Sequence, residues 1–276
     1  MKRAAVIGWP IEHSRSPLIH GHWLQKHGID GSYTKIAVRP EEVAGFLAGL
    51  AKQGLAGCNV TLPHKEAAFR AADERDASAI AVGAANTLWL EGKRLFAANT
   101  DTYGFMRHLE VSAPQWRTRD RPVLVLGAGG AARGIVYGLL EAGVGEVRVA
   151  NRTLTRAEEI AGHFGRHVRA LGWEAAAGAA GDAGLLINTT SLGMAKTGPL
   201  DFDVARLPED AVVADIVYVP LETELLAAAR ARGLACIDGL GMLLHQAVPG
   251  FTRWFGVVPE VTAELRQIIV ADIEGH

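Results

Sequence analysis

A chain of 276 residues is long enough for one large domain or two modest ones, since domains usually contain about 100–200 residues. Hydrophobic residues make up 49% of the chain and charged residues 21%, which is typical of a folded globular protein and argues against disorder. The formal net charge of -2 provides no basic excess that would bind a nucleic-acid backbone or an anionic membrane. We therefore expect a small-molecule substrate, bound by local groups, and no nucleic-acid or membrane partner.

The spacing of the cysteines and histidines does not indicate a metal site. Cys58 and Cys236 lie far apart, and histidines 13, 20, 22 and 27 lack a carboxylate or thiolate that would complete a ligand set. Two cysteines in this many residues favour a reducing compartment. The N-terminal apolar stretch is too short for a signal peptide, and no segment reaches the roughly 20 apolar residues of a membrane span. We expect a cytoplasmic protein without a metal; the oligomeric state stays open, with a homodimer as one expectation.

The first hundred residues alternate between strand and helix patterns. Pro17–His27 is predicted to be a helix with Ser16 as its N-cap, and further helices are predicted at Pro40–Gln53 and at residues 63–72. Strands are predicted in RAAVIG, SYTKIAV and GCNVTL, and a hairpin in NTLWLEG and KRLFAANT. This half of the chain is therefore predicted to form an α/β unit.

A second α/β pattern begins at Pro122. The buried-strand sequence PVLVL leads into a glycine-rich turn, a helix over Arg133–Leu140 and the strand EVRVAN, which together make a βαβ unit. Strand patterns recur at 185–190, 211–217 and 234–238, with a helix at Thr223–Arg232. Residues 103–236 are therefore predicted to form one dinucleotide-binding domain.

The glycine-rich turn fits the requirements of a pyrophosphate. Gly127 permits a tight turn, Gly129 allows close approach of the backbone, and the small residue at 132 lets the helix pack on the strand. The helix N-terminus then offers free N–H groups and the positive end of a dipole. The predicted binding residues are Gly127, Ala128, Gly129, Gly130 and Ala131. The alternative is a tight turn without a ligand.

The end of the next strand indicates which nucleotide is bound. NAD-specific sites usually place an Asp or Glu here for the ribose 2′-hydroxyl, whereas this chain has Asn151, Arg152 and Thr153, with Arg156 one turn later. Guanidinium groups hold a 2′-phosphate, which a carboxylate would repel. The pattern favours NADP over NAD, unless both arginines are merely solvated.

Five polar segments lie at predicted strand ends or helix starts, where α/β folds bind ligands. They supply hydroxyls, amides, one lysine and one aspartate, a set that suits a small polyhydroxylated substrate. They are Ser14–Ser16, Asn59–Lys65, Val82–Thr87, Asn99–Asp101 and Gly239–Gln246.

These segments, followed by GAGGAA, NRT, NTTSLGM and DIVY, resemble the shikimate dehydrogenase family from Val6 to about Phe255. The resemblance implies an α/β protein with a Rossmann-type domain at 103–236 and a second, discontinuous α/β substrate domain at 1–102 and 237–276, with a cleft between them. It also implies NADPH-dependent, reversible reduction of 3-dehydroshikimate to shikimate, which is a step in chorismate and aromatic amino-acid biosynthesis.

The same resemblance makes Lys65 and Asp101 the catalytic pair. Ketone reduction needs a proton donor as well as a hydride, and an ammonium can also stabilise the developing alkoxide. Lys65 is the better candidate acid, but the sequence leaves open which of the two transfers the proton. The alternatives are a solvated lysine and an aspartate that caps the helix over 102–110.

The resemblance also assigns residues that contact the two ligands. Ser14, Ser16 and Tyr218 are expected at the substrate carboxylate, and Thr61, Asn86 and Gln246 at the ring hydroxyls and the ketone. Residues 188–190, including Thr189 and Thr190, are expected along the cofactor ribose and Ile216 and Gly239 by the nicotinamide, with Met242 as a further cofactor-binding residue. Two other functions stay open: a quinate/shikimate dehydrogenase that uses NAD, and a non-catalytic, nucleotide-sensing relative.

Overall fold

The computed structural model describes residues 1–118, 120–195 and 197–275, without the side chains of 117 and 118. The chain divides into two compact units, Met1–Asp101 with Leu244–His276, and Thr102–Leu243. From the sequence, the domain boundaries were expected after residues 102 and 236.

The elements are numbered in chain order. The strands are β1 (Lys2–Gly8), β2 (Gly31–Ala37), β3 (Gly57–Val60), β4 (Glu74–Arg75), β5 (Thr87–Glu91), β6 (Arg94–Ala98), β7 (Val123–Leu126), β8 (Val147–Asn151), β9 (Val168–Gly172), β10 (Leu185–Asn188), β11 (Val212–Asp215) and β12 (Ala235–Ile237). The α-helices are α1 (Ser16–Lys26), α2 (Val43–Ala48), α3 (Lys65–Ala71), α4 (Ala77–Val82), α5 (Thr100–Ser112), α6 (Gly130–Glu141), α7 (Leu154–Phe164), α8 (Trp173–Ala179), α9 (Glu224–Ala231), α10 (Gly239–Phe255) and α11 (Ala263–Glu274). None of the described helices combines the length and apolar character that crossing a membrane requires.

The first unit contains a mixed sheet with the strand order β2-β1-β3-β5-β6-β4. β1 runs parallel to β2 and β3, whereas β5 is antiparallel to β3 and β6. The register aligns Asn59 of β3 with Thr87 of β5, and Thr87 with Ala98 of β6. Consequently the end of β3, the start of β5 and the end of β6 meet at one edge of the sheet.

A cluster of buried rings packs in the first unit. His20 is stacked on Tyr33 at 3.9 Å between ring centroids and also contacts Trp23, Phe251 and Trp254. The indole N–H of Trp254 donates to the Leu88 carbonyl of β5 at 3.0 Å, and a Cβ at Gly57 would collide with the same ring. The late helix α10 is thereby fixed against the first sheet.

The second unit contains a parallel sheet with the strand order β12-β11-β10-β7-β8-β9. Counted from β7, this is the doubly wound order 3-2-1-4-5-6 of dinucleotide-binding domains. The central strand Val123–Leu126 is buried on both faces, as its uninterrupted apolar sequence indicates. The predicted fold class, a Rossmann-type domain with a second α/β domain, is confirmed.

Several local predictions were wrong. Ser16 is the first residue of α1 rather than its N-cap, and its own N–H donates to the Ser14 hydroxyl oxygen at 3.4 Å. The helix predicted at Pro40–Gln53 is two short pieces, because α2 ends at Ala48 with Gly49 as its C-cap and a 3-10 turn follows over Leu50–Gln53.

The aspartate at 101 does not cap a helix, because α5 already begins at Thr100. The Thr100 N–H is satisfied instead by the Asn86 side-chain oxygen at 2.8 Å. This external cap leaves the Asp101 carboxylate free for other partners.

Candidate active site

Lys65 and Asp101 form an ion pair in the first unit, with 2.6 Å between Lys65 Nζ and Asp101 Oδ2. Lys65 is the first residue of α3, just after β3, and Asp101 lies in the first turn of α5, just after β6. The strand register that brings the ends of β3 and β6 to one edge of the sheet therefore brings these side chains together. About a quarter of each side chain is exposed, so the pair is accessible to a substrate.

Asn86 holds the second oxygen of the same carboxylate. Its side-chain amide donates to Asp101 Oδ1 at 2.8 Å, while its oxygen accepts from the Thr100 N–H. A backbone N–H can only donate, so the oxygen of the amide must face Thr100 and its NH2 group must face Asp101. Asp101 is therefore an acceptor on both oxygens, which is the hydrogen bonding of an ionised carboxylate.

Thr61 lies in the loop between β3 and α3, beside the end of β1. Its N–H donates to the Ile7 carbonyl at 2.9 Å. A Cβ at Gly8 would lie 2.5 Å from the Thr61 methyl carbon, so a glycine is required for this approach. In the same loop, the buried His64 ring contacts the Val38 carbonyl at 2.7 Å and fixes the chain just ahead of Lys65.

The remaining substrate-binding candidates of the first unit lie on two helices and one loop. Ser14 is half-buried in the loop before α1, and Ser16 is buried at the start of that helix. Ser14 and Ser16 are brought together by their hydrogen bond. Gln246 is buried on α10, in the part of that helix that belongs to the first unit.

The glycine-rich turn of the second unit has the geometry that the sequence predicts for it. Gly127 has a φ of +102°, and a Cβ there would lie 2.8 Å from the Thr189 hydroxyl, so only glycine fits. Gly129 is the N-cap of α6, and nothing lies within 4 Å of a Cβ placed at Gly129 or Gly130. Open backbone N–H groups at the start of a helix provide room and a positive dipole end for an anion.

Ala132 is fully buried between α6 and the sheet, in the position where a small residue was expected. Ala128 and Ala131 are half-buried on either side of the open glycines. The helix begins at Gly130 rather than at 133, and the sequence did not predict the following pair α7 and β9.

Asn151 ends β8, and its amide donates to the Thr153 carbonyl at 2.8 Å, which closes a turn ahead of α7. Arg152, Thr153 and Arg156 are exposed on this turn. Within the described ranges, neither arginine forms an ion pair with a carboxylate. Two exposed guanidinium groups on one turn, without a carboxylate partner among the described residues, are suited to an external dianion.

A buried hydrogen-bond network holds the loop after β10. The Asn188 amide donates to Asp215 Oδ1 at 3.0 Å, and its oxygen accepts from the Thr190 N–H and hydroxyl. Asp215 Oδ2 accepts from the Thr223 hydroxyl at 2.8 Å. Burial raises the pKa of Asp215, and these hydrogen bonds oppose the rise. Thr189 is tied separately, through its hydroxyl, to the Leu126 carbonyl at 2.7 Å beside the glycine turn.

The last group of candidates lies after β11 and β12. A Cβ at Gly239 would collide with the Ile216 carbonyl, so glycine permits this contact and joins the start of α10 to the second sheet. Ile216 and Met242 are half-buried and pack against the core of this unit. Tyr218 is half-buried just beyond β11.

Sequence reasoning assigned no role to four polar residues that hold these groups: Asn59, Thr87, Thr100 and Asp215. Three of them lie in segments that were noted as polar, and their place at strand ends was the available signal. Which side chains they contact depends on strand register, which the sequence did not give. Among the described residues, no three His, Cys, Asp or Glu side chains are grouped so that they could hold a metal ion.

Comparisons with known proteins cover most of the chain. Residues 6–88 match the shikimate dehydrogenase substrate binding domain, and residues 111–195 match the shikimate/quinate 5-dehydrogenase family. A shikimate dehydrogenase (NADP(+)) of Azorhizobium caulinodans is 58% identical over 99% of this chain and 97% of its own.

Two solved structures are similar over nearly the whole chain. The shikimate 5-dehydrogenase of Thermus thermophilus, in complex with NADP(H) and shikimate, has a TM-score of 0.87 at 37% identity, covering 99% of this chain and 100% of that one. A quinate dehydrogenase of Corynebacterium glutamicum in complex with NAD has a TM-score of 0.89 at 31% identity, covering 98% and 99%. The chain belongs to the shikimate dehydrogenase family.

Proposed function

We propose that this chain catalyses the reversible, NADPH-dependent reduction of 3-dehydroshikimate to shikimate, a step that leads to chorismate and the aromatic amino acids. The observation that carries the proposal is the Lys65–Asp101 pair, an ammonium and a carboxylate 2.6 Å apart in the unit that matches the substrate-binding domain. The 58% identity to an NADP(+)-dependent shikimate dehydrogenase supports the same reaction.

The proton is supplied by Lys65. When NADPH is bound, it supplies the hydride that the ketone carbon takes up. Lys65 Nζ donates to Asp101 Oδ2 and the Asn86 amide donates to Oδ1, so the lysine is the hydrogen-bond donor of the pair. Lys65 donates the proton to the ketone oxygen as the alkoxide develops, and the neutral amine is then reprotonated from solvent. Asp101 orients the ammonium and stabilises its charge.

The other polar groups of the first unit bind the substrate. We assign the hydroxyls of Ser14 and Ser16 to the carboxylate, together with Tyr218 of the second unit. The Asn86 amide carries two hydrogens and donates one to Asp101, and we assign the other to a ring hydroxyl. Thr61 and Gln246 complete the hydrogen bonds to the ring.

The second unit has the features that an NADP site requires. A Cβ at Gly127 would fill the turn, while the open backbone at Gly129 and Gly130 leaves space for a pyrophosphate. Arg152 and Arg156 are assigned to the 2′-phosphate, beside Asn151 and Thr153. Thr189 and Thr190 are assigned to the ribose side, and Ile216, Gly239 and Met242 to the nicotinamide.

The decisive test is the initial rate with each combination of shikimate or quinate and NADP+ or NAD+, measured by nicotinamide absorbance. Shikimate with NADP+ is expected to give the highest kcat/KM. A preference for quinate with NAD+ would replace this function by that of the quinate dehydrogenases. Nucleotide binding without turnover of any pair would instead indicate a nucleotide-sensing protein.

We also propose a cytoplasmic location and a homodimer. Both cysteines are free, which is compatible with a reducing compartment. Sedimentation analysis of the purified protein tests the dimer directly, and a monomer at micromolar concentration would contradict it.

A further inference from the structure

A chain of buried polar side chains runs behind the catalytic pair in the first unit. The Tyr33 hydroxyl donates to the Asn59 side-chain oxygen at 2.6 Å, and the Asn59 amide donates to the Thr87 hydroxyl oxygen at 3.0 Å. Thr87 in turn lies 2.9 Å from the Thr100 hydroxyl and 3.1 Å from the Asn86 side-chain oxygen. Tyr33, Asn59, Asn86, Thr87 and Thr100 are all buried, so each of these bonds is protected from water.

The donor and acceptor in each of these hydrogen bonds follow from the groups that take part. The Asn59 amide also lies 3.1 Å from the Asn86 backbone carbonyl, which can only accept, so its NH2 group must face Asn86 and Thr87 and occupies a lone pair of the Thr87 hydroxyl. The single proton of Thr87 is therefore directed onward, to Asn86 Oδ1 or to Thr100 Oγ1, which itself lies 3.1 Å from Asn86 Oδ1. By either route the hydroxyl protons converge on the Asn86 oxygen.

This convergence reinforces the orientation that the Thr100 N–H imposes on the Asn86 amide. Its oxygen faces the Thr100 N–H and the two hydroxyls, so its NH2 group is held against Asp101. In the flipped orientation the amide oxygen would meet the carboxylate, and the NH2 group would meet a backbone N–H. The hydroxyls are well placed to resist both the flip and smaller rotations of the amide.

We propose that Thr87 is a positioning residue of the reaction: its buried hydroxyl locks the Asn86 amide, and through it the orientation of the Asp101 carboxylate that holds Lys65. This rests on the proposed function, since the Lys65–Asp101 pair must perform the chemistry. The Thr87 side chain is buried behind Asn86, so it acts on the pair through that amide.

The test compares Thr87→Val, which keeps the β-branched shape but removes the hydroxyl, with Thr87→Ser, which keeps the hydroxyl. Thr87→Val is expected to lower kcat about tenfold, which is what one buried hydrogen bond is worth. The KM for shikimate should change less than about threefold, since the loss falls mainly on the transition state. Thr87→Ser should stay within about twofold of the parent kcat.

Thr252→Val is the matched control. It removes a threonine hydroxyl in the same unit, but this hydroxyl only donates to the Val248 carbonyl of its own helix, at 2.8 Å. Its kcat should equal that of the parent. A kcat loss shared by Thr252→Val and Thr87→Val would reflect general loosening of the unit and would overturn the proposal.

A double-mutant cycle identifies the route. If Thr87 acts through Asn86, then Thr87→Val should change kcat less than about twofold in an Asn86→Ala background. An undiminished tenfold effect in that background would show that Thr87 acts by another route. If Thr87→Val does not fold, as judged by circular dichroism and thermal melting, Thr87→Ala removes the same hydroxyl and should produce the same kcat-led loss.

Three results would contradict the proposal while leaving the proposed function intact: full kcat in a folded Thr87→Val or Thr87→Ala, a rise in KM alone, or equal losses in Thr87→Val and Thr87→Ser. A parent enzyme without activity on shikimate and NADP+ would instead contradict the proposed function itself. The parent rate therefore separates the two failures.

Discussion

Each unit holds one aspartate beside an asparagine that donates to it, and the two aspartates differ in their other partners. Asp101 accepts from the amide of Asn86 and from the ammonium of Lys65, and about a quarter of its side chain is exposed. Asp215 accepts from the amide of Asn188, the Thr223 hydroxyl and the Val217 N–H, all neutral donors, and only 2% of the residue is exposed. The carboxylate beside a cation is the accessible one.

The difference indicates how the same side chain serves two purposes. Neutral donors in a buried site can fix loops, but they compensate the loss of hydration of a charge incompletely, which is why the pKa of Asp215 is raised. A cation at the surface of the first unit provides both charge compensation and a transferable proton. We therefore expect changes around Asp101 to alter turnover, and changes around Asp215 to alter stability and nucleotide binding.

The largest expected effect is that of Lys65→Ala. Removing the proton donor should lower kcat about 10²- to 10⁴-fold, whereas shikimate binding, measured by calorimetry, should weaken less than tenfold. Lys52→Ala, an exposed lysine on the 3-10 turn of the same unit, is the control and should retain full kcat. A kcat of Lys65→Ala close to that of the parent would show that Lys65 is not the proton donor. Asp101 and Asp215 would then not differ in their relation to catalysis.

A charge change in the second unit should act on nucleotide binding alone. Arg152→Ala is expected to raise the KM for NADP+ about 10- to 100-fold, because charge-assisted bonds to a phosphate are lost, with little effect on the weak use of NAD+. The exposed Arg166→Ala, beyond α7, is the control. Equal losses with both nucleotides would argue against recognition of the 2′-phosphate by Arg152.

Much of the fold could be predicted from local patterns. The apolar run at 123–126 and the glycines at 127 and 129 predict a buried parallel strand and a phosphate turn, because both depend on residues adjacent in sequence. The pair α7 and β9 was missed, although Ala157, Ile160 and Phe164 lie at the three- to four-residue spacing of an amphipathic helix, so a signal for α7 was present in the sequence.

The candidate site was predicted less completely, because its geometry depends on register. Lys65 and Asp101 were paired through the family resemblance, whereas the support by Thr87 arises only when Asn59, Thr87 and Ala98 align across three strands. Likewise, the interpretation of Asp101 as a possible cap failed because Asn86, fourteen residues earlier than Thr100, supplies the cap from another element.

A smaller expected effect concerns the buried histidine of the first unit. Burial lowers the pKa of His20 to about 3, with a weaker opposing effect of Asn59, although neither ring nitrogen makes a hydrogen bond of normal geometry. The unfolded chain takes up a proton near pH 6.5 and the folded chain does not, so stability falls as pH drops below 6.5. His20→Phe should remove this loss, gaining about 2 kcal/mol on the parent between pH 7 and pH 5.

Urea unfolding at both pH values measures the gain of His20→Phe over the parent. His163→Gln, an exposed histidine on α7 of the second unit, controls for the removal of one histidine. A gain that is equal at pH 7 and pH 5 would mean that His20 carries the same charge in the folded and unfolded chain.

The smallest expected effect is that of Asp215→Asn, and it has the opposite pH dependence. Because burial raises the pKa of Asp215 above its ordinary value of 3.8, the folded chain retains a proton that the unfolded chain has released. Stability of the parent therefore falls as pH rises from about 3.8 through the folded-state pKa. Asparagine cannot ionise, so the variant should gain on the parent across this window.

At neutral pH the mismatch between the amide introduced at position 215 and its three donors should offset part of this gain, by about 1 kcal/mol. Chemical unfolding of both proteins from about pH 4 to pH 7 gives the difference directly, and kcat should stay within about threefold of the parent because no proton passes through this site. A stability difference that is flat with pH would show that Asp215 has the same pKa in the folded and the unfolded chain, and the contrast between the two units would then lie in proton transfer alone.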